Sequence, residues 1–166
     1  MDEFVESAPT TTRERPFLRL ERFYPAAPEK VWRAWTDPKA LSIWFGPGEM
    51  NTVLRADVDV RVGGRFEIAF RTQDGRVHAV GGVYREVQPH RRLVFSWAWH
   101  GTPEAESQVS VALHPEGGGT RMEFLHEQFV DQPTRDDHEG GWNATFDKLE
   151  RFLSLPANPA ADPGGA

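Results

Sequence analysis

A chain of 166 residues suits one domain with a substantial core, and 39% apolar content with 6 Trp and 11 Phe supplies bulky interior material. The net charge of −6 argues against an electrostatically driven nucleic-acid surface, and the lack of cysteine excludes disulfides, thiol nucleophiles and thiolate metal sites. No apolar run approaches a membrane span and the N-terminal residues lack a secretory pattern, so a cytoplasmic protein without membrane attachment is expected.

Residues 1–15 are polar and aperiodic, which predicts a flexible arm. Residues 17–24 (FLRLERFY) alternate as a strand does. Pro25 and Pro28 stop it. Pro28 suits the first position of a helix, and Val31, Trp32 and Trp35 follow at helical spacing. Asp37-Pro38 restarts a second short helix, because an Asp side chain accepts from the free N–H groups of a first turn. Leu41, Trp44 and Phe45 form its apolar side, and Gly46-Pro47-Gly48 ends it.

Six more strands are predicted. Residues 53–62 alternate Val58, Val60 and Val62 with charged residues, and Gly63-Gly64 reads as a tight hairpin into residues 65–71. Asp74-Gly75 turns into residues 78–87, where Gly81-Gly82 predicts a bulge or bend. Residues 92–100 place Leu93, Phe95, Trp97 and Trp99 on one face. Residues 108–114 follow, and Gly117–Gly119 turns into residues 120–129, with Met122, Phe124 and His126 on one side. The last element, residues 133–155, puts Trp142, Phe146, Leu149 and Leu153 on one face of a helix. Residues 156–166 are Pro, Ala and Gly in the main and predict a disordered tail. One strand, two short helices, six strands and a long helix define an α+β chain with an antiparallel meander, forming a single domain over residues 16–155.

The runs PEKVWRAWTDPKALSIWFGP, DVRVGGRFEIAF, GGVYREVQPHRRLVFSW, GGGTRMEFLHEQF and HEGGWNATFDKLERFL, in this order and spacing, resemble the family named for the activator of the heat-shock-protein ATPase. That family lies within the START and pollen-allergen-like helix-grip (SRPBCC) superfamily. The resemblance implies a helix-grip fold: a curved antiparallel sheet of about seven strands wrapped around the C-terminal helix, with a cavity between them. Better understood members of the superfamily bind hydrophobic small molecules, and some are cyclases. The eukaryotic activators also use a separate N-terminal domain, for which the residues before Phe17 are too few. Chaperone activation is therefore not the expected role.

The expected function is binding of a small, largely hydrophobic molecule, aromatic or polyketide-like, between helix and sheet. Its expected walls are Trp44, Phe66, Tyr84, Trp97, Trp99, Trp142 and Phe146, with His126 and His138 as polar groups. The small residues Gly81, Gly82, Ser96 and Ala98 are expected to leave room beneath the helix. An alternative is a cyclase, dehydratase or hydrolase that uses His126, His78 or Tyr84 as acid or base. A third reading is a protein-interaction module, such as a chaperone cofactor, with an exposed apolar patch at Trp44–Phe45 or on an edge strand. His126-Glu127 and His138-Glu139 lack metal-ligand spacing, and no phosphate-cradling Gly loop opens a helix, so neither metal nor cofactor is expected. Gly140-Gly141 breaks the rules of a helix interior. Close packing against the sheet is the favoured reason, with ligand approach, a kink or a helix start at Trp142 as the alternatives.

Overall fold

The computed structural model describes residues 15–48 and 51–155. The arm expected over residues 1–15 lies outside them except for Arg15, and the tail expected over 156–166 lies wholly outside. In chain order the elements are β1 (Leu18–Tyr24), α1 (Pro28–Thr36), α2 (Pro38–Trp44), β2 (Thr52–Val58), β3 (Arg65–Arg71), β4 (Val77–Gln88), β5 (Arg92–Trp99), β6 (Ser107–Glu116), β7 (Gly119–Glu127) and α3 (Gln132–Ser154). All seven strands form one antiparallel sheet in the order β1-β7-β6-β5-β4-β3-β2.

Asp37 serves two helices. Its backbone N–H donates to Arg33 O, ending α1, and its side chain accepts from Lys39 N to start α2. The indole N–H of Trp44 donates to Ala34 O at 2.9 Å and ties the two helices together. In α3, Asp131 caps the first turn through Thr134 N at 2.9 Å. The helix runs unbroken through Gly140-Gly141 and buries Trp142, Thr145, Phe146, Leu149 and Leu153. Each large apolar side chain so buried contributes on the order of 1.5–3 kcal/mol.

Two strands end earlier than the alternation predicts. β2 ends at Val58, not Val62. Asp59 and Arg61 pair with each other inside a turn over residues 59–64, and Val62 is 63% exposed. Gly63, at φ 87, gives its N–H to Tyr84 O, and Gly64 O accepts from Tyr84 N, so the two glycines extend the ladder with β4 instead of closing a two-residue hairpin. β7 ends at Glu127, because Gln128 takes φ 71 and Phe129 N turns to Pro16 O. In β4, Gly82 has no partner on β5, and Val83 N–H donates to Ser96 Oγ at 2.9 Å. A Cβ on Gly82 would stand 2.0 Å from Ser96 O, so the backbones approach too closely for any other residue.

The middle of the core is filled from α1. Trp35 sets its ring 5.0–6.3 Å from those of Trp44, Phe95, Phe124, Trp142 and Phe146. It occupies the space between helix and sheet in which an internal cavity was expected.

Candidate ligand cleft

The open space lies to one side of that plug. A cleft of about 280 Å³ is bounded by the first half of α3, by β3, β4 and β5, and by the segment after α2. Trp97 and Trp99 come from β5, and Phe70 and Thr72 from β3 and its end. His78 comes from β4, and Phe45, Gly46 and Pro47 from the α2–β2 connection. The helix supplies Asp137, His138, Gly141, Trp142 and Thr145.

Of the nine expected wall residues, Trp97, Trp99, His138 and Trp142 line this cleft. Trp44, His126 and Phe146 are wholly buried elsewhere in the core. Phe66 and Tyr84 border a separate void of about 20 Å³, room for a water at most. The displacement has one cause: Trp35 fills the centre, so space remains only where the helix overhangs the ends of β3–β5. Gly81, Gly82, Ser96 and Ala98 border a shallow charged groove with Arg65, Glu67 and His100, and no α3 residue forms its walls. They leave no room beneath the helix. The Trp44–Phe45 patch is not exposed either; both side chains are buried.

The three acid–base candidates separate. His78 stands on the cleft, its ring stacked on Phe70 at 5.4 Å with Nε2 3.4 Å from Thr72 Oγ1. Tyr84 is buried, and burial together with the charge of Asp59 raises its phenol well above the usual range. His126 has no solvent exposure, and both ring nitrogens are used. Trp142 Nε1–H donates to His126 Nδ1 at 3.0 Å. Nδ1 therefore carries the lone pair and Nε2 the proton, which goes to Ser107 Oγ at 2.8 Å. Ser107 in turn donates to Trp97 O at 3.3 Å. Burial, followed by the charge of His138, holds the His126 pKa well below the ordinary imidazole value. Such a histidine is a structural hydrogen-bond node. It reaches neither the cleft nor solvent.

His138 repeats the motif with the opposite tautomer. Trp99 Nε1–H donates to His138 Nε2 at 3.0 Å, and His138 Nδ1–H donates to Thr134 O at 2.8 Å. Burial lowers its pKa, against the opposing pull of the Thr134 carbonyl and Asp137. The two imidazoles meet edge to face at 5.1 Å, so a proton on one would repel a proton on the other. Phe129 packs on both, at 4.2 and 5.0 Å.

Gly140-Gly141 is not a close-packing site. A Cβ on Gly140 would meet nothing within 4 Å, and one on Gly141 only Pro47 Cβ at 3.8 Å. Gly140→Ala should therefore raise stability by about 1 kcal/mol in urea denaturation, the ordinary gain of alanine in a helix interior. An unchanged or lower stability would mean that a strain outside the helix demands glycine there. Gly141 differs in facing the cleft.

Sequence reasoning missed Phe45, Gly46, Pro47, Phe70, Thr72, Asp137 and Thr145 as lining residues. Phe70 was on the inward face of its strand beside Phe66 and Ile68. Which end of that face stays open depends on where α3 crosses it, and the strand pattern carries no signal of that. Among the described residues no three His, Asp or Glu side chains gather as metal ligands do. No described helix is long and apolar enough to cross a membrane.

A seven-stranded antiparallel sheet gripping a C-terminal helix, with a cleft beside the helix, is the helix-grip architecture. The chain belongs to the family described as Activator of Hsp90 ATPase homolog 1-like protein, whose profile matches residues 25–154. Among solved structures it is similar to the AHSA1 protein of Silicibacter pomeroyi, at 30% identity and TM-score 0.75, over 84% of this chain and 99% of that one. Protein CV1439 of Chromobacterium violaceum is 28% identical with TM-score 0.75, over 84% and 97% of the two chains. Protein NE0264 of Nitrosomonas europaea is 26% identical with TM-score 0.71, over 82% and 93%. No curated protein matches the chain.

Proposed function

We propose that this protein binds a small, largely apolar, planar molecule in the cleft beside α3. The observation that carries the reading is a cleft of about 280 Å³ with aromatic walls. It sits just below the size range of small-molecule pockets, about 300–1,000 Å³. The helix-grip fold, associated with hydrophobic ligands, supports the same reading. Gly141 adds to it, because without a side chain it leaves the cleft wall open at its position on the helix. A catalytic role has less support, since His126 and Tyr84 are buried away from the cleft and only His78 of the three stands on it. Chaperone binding through Trp44–Phe45 has none, since neither side chain is exposed.

A titration with 2-naphthol followed by NMR tests this. Saturable binding should shift the indole N–H signals of Trp97, Trp99 and Trp142 and leave that of Trp32 unmoved. Gly141→Met, which projects a side chain into the cleft, should abolish the shifts without loss of stability. The reading fails if 2-naphthol shows no saturable effect, or if Gly141→Met binds it as well as the parent protein does.

A further inference from the structure

The chemistry of the cleft selects among small apolar molecules, and this inference rests on the cleft being the binding site. Its aromatic side chains form a closed circuit. Phe45 meets Phe70 at 6.2 Å, Phe70 meets Trp99 at 6.1 Å and Trp99 meets Trp97 at 5.5 Å. Trp97 meets Trp142 at 5.1 Å, and Trp142 returns to Phe45 at 6.2 Å. Aromatic rings carry a quadrupole whose negative face attracts positive charge.

Apart from the His78 imidazole, whose Nε2 lies 3.4 Å from Thr72 Oγ1, and the Trp97 indole, the side-chain hydrogen-bond donors around the cleft are already committed. Trp99 Nε1–H goes to His138, and Trp142 Nε1–H to His126. His138 Nδ1–H goes to Thr134 O, and Thr145 Oγ1–H to Gly141 O at 2.8 Å. The Thr72 hydroxyl donates to Asp74 Oδ1 at 2.5 Å. Trp97 Nε1–H has no partner among the described residues but is sealed from solvent. No Arg or Lys lines the cleft. An anion would therefore find no Arg or Lys charge and, His78 apart, no accessible free side-chain donor, so most of its desolvation would go uncompensated.

One charged side chain does line the cleft, and it is negative. Asp137 is exposed and makes no ion pair among the described residues. The nearby Arg135 is taken up by Asp136, Glu139 and Phe17 O. The protein as a whole carries −6, which favours approach of a cation.

We propose that the ligand of this cleft is an organic cation of the alkyl- or arylammonium class, its charge held against the Trp97 and Trp99 rings and paired with the Asp137 carboxylate. The three probes of the test share a phenol. They are (4-hydroxyphenyl)trimethylammonium, its neutral isostere 4-tert-butylphenol, and the anion 4-hydroxybenzoate, titrated by calorimetry at pH 8 and low salt with the full chain. The cation should bind about tenfold tighter than the isostere, and the anion weakest. Asp137→Asn should cut the cation's advantage about threefold and leave the isostere's affinity unchanged. If the isostere or the anion binds as tightly as the cation, the cationic assignment is wrong while the cleft remains a binding site. If Asp137→Asn leaves the advantage intact, the carboxylate has no part and the pairing is refuted. If none of the three binds up to its solubility, and 2-naphthol fails as well, the cleft itself is not a binding site and both proposals fall together.

Discussion

Trp142→Ala should cost about 3–5 kcal/mol of folding stability, the usual range for removing a large aromatic side chain from a packed core. The side chain is 3% exposed. Its ring lies 4.6 Å from Phe124, 5.1 Å from Trp97 and 5.4 Å from Phe146. Alanine leaves a void that these rings cannot readily close, because Phe124 and Phe146 already touch each other and Trp35. It also removes the N–H that satisfies His126 Nδ1. Trp142→Phe separates the two contributions. It retains most of the bulk and deletes the donor, so its cost should be about 1–3 kcal/mol, that of an unsatisfied buried acceptor. Urea denaturation of the three proteins measures both. A cost below about 2 kcal/mol for Trp142→Ala would show that the core around Trp35 is looser than the ring distances imply.

Acidification should destabilise the protein before its carboxylates titrate. His126 and His138 are both held below the ordinary histidine pKa by burial. As pH falls below about 6.5, the unfolded chain takes up a proton at each imidazole, while the folded chain resists doing so. Stability is therefore fully present above that pH and lost beneath it, at up to about 1.4 kcal/mol per pH unit for each histidine. His126 should approach that limit. His138 is only half-buried and should contribute less. The carboxylates whose pKa values are lowered, Asp74, Glu123 and Asp131, are held down chiefly by hydrogen bonds, and their contribution is lost only below the ordinary carboxylate range. The interval from pH 6.5 to 5 thus belongs to the histidines. Urea midpoints at pH 7.5, 6.5 and 5.5 should fall in sequence, and His138→Gln should make the fall shallower. A midpoint that stays level across this interval would mean that the folded protein accepts the protons, which the Trp142–His126–Ser107 arrangement does not allow.

Strand and helix identity was legible because alternation and helical spacing follow from backbone geometry, and nearly every element of this chain obeys one or the other. The departures occur where a local rule meets a tertiary demand. Val60 and Val62 continue the alternation of β2, but Gly63 and Gly64 are needed to pair with Tyr84, so the strand must turn earlier. The aromatic residues of the inner sheet face were visible as a group; the division between packed and open was not. It depends on one side chain, Trp35, which reads in the sequence as an ordinary apolar position on a short helix. His126 was recognisable as inward-facing. Its role as a node emerges only when Trp142, sixteen positions later, is brought over it.

The sheet order also bears on how the molecule comes to exist. β1 is the first strand of the chain and pairs with β7, the last, across a full register from Leu18↔His126 to Tyr24↔Thr120. The ion pair of Arg121 with Glu21 joins residues 100 positions apart. Every other strand finds its partner next in line, but β1 must wait for six later strands. During synthesis, Leu18–Tyr24 leaves the ribosome before the other described strands and cannot complete its pairing with β7 until residue 126 has followed it. The charged Arg19, Glu21 and Arg22, set among its apolar side chains, act against edge-to-edge association of that segment. Closure of this one long-range ladder is then the event that couples the two ends of the chain. A contact of such long range is of the kind that slows folding.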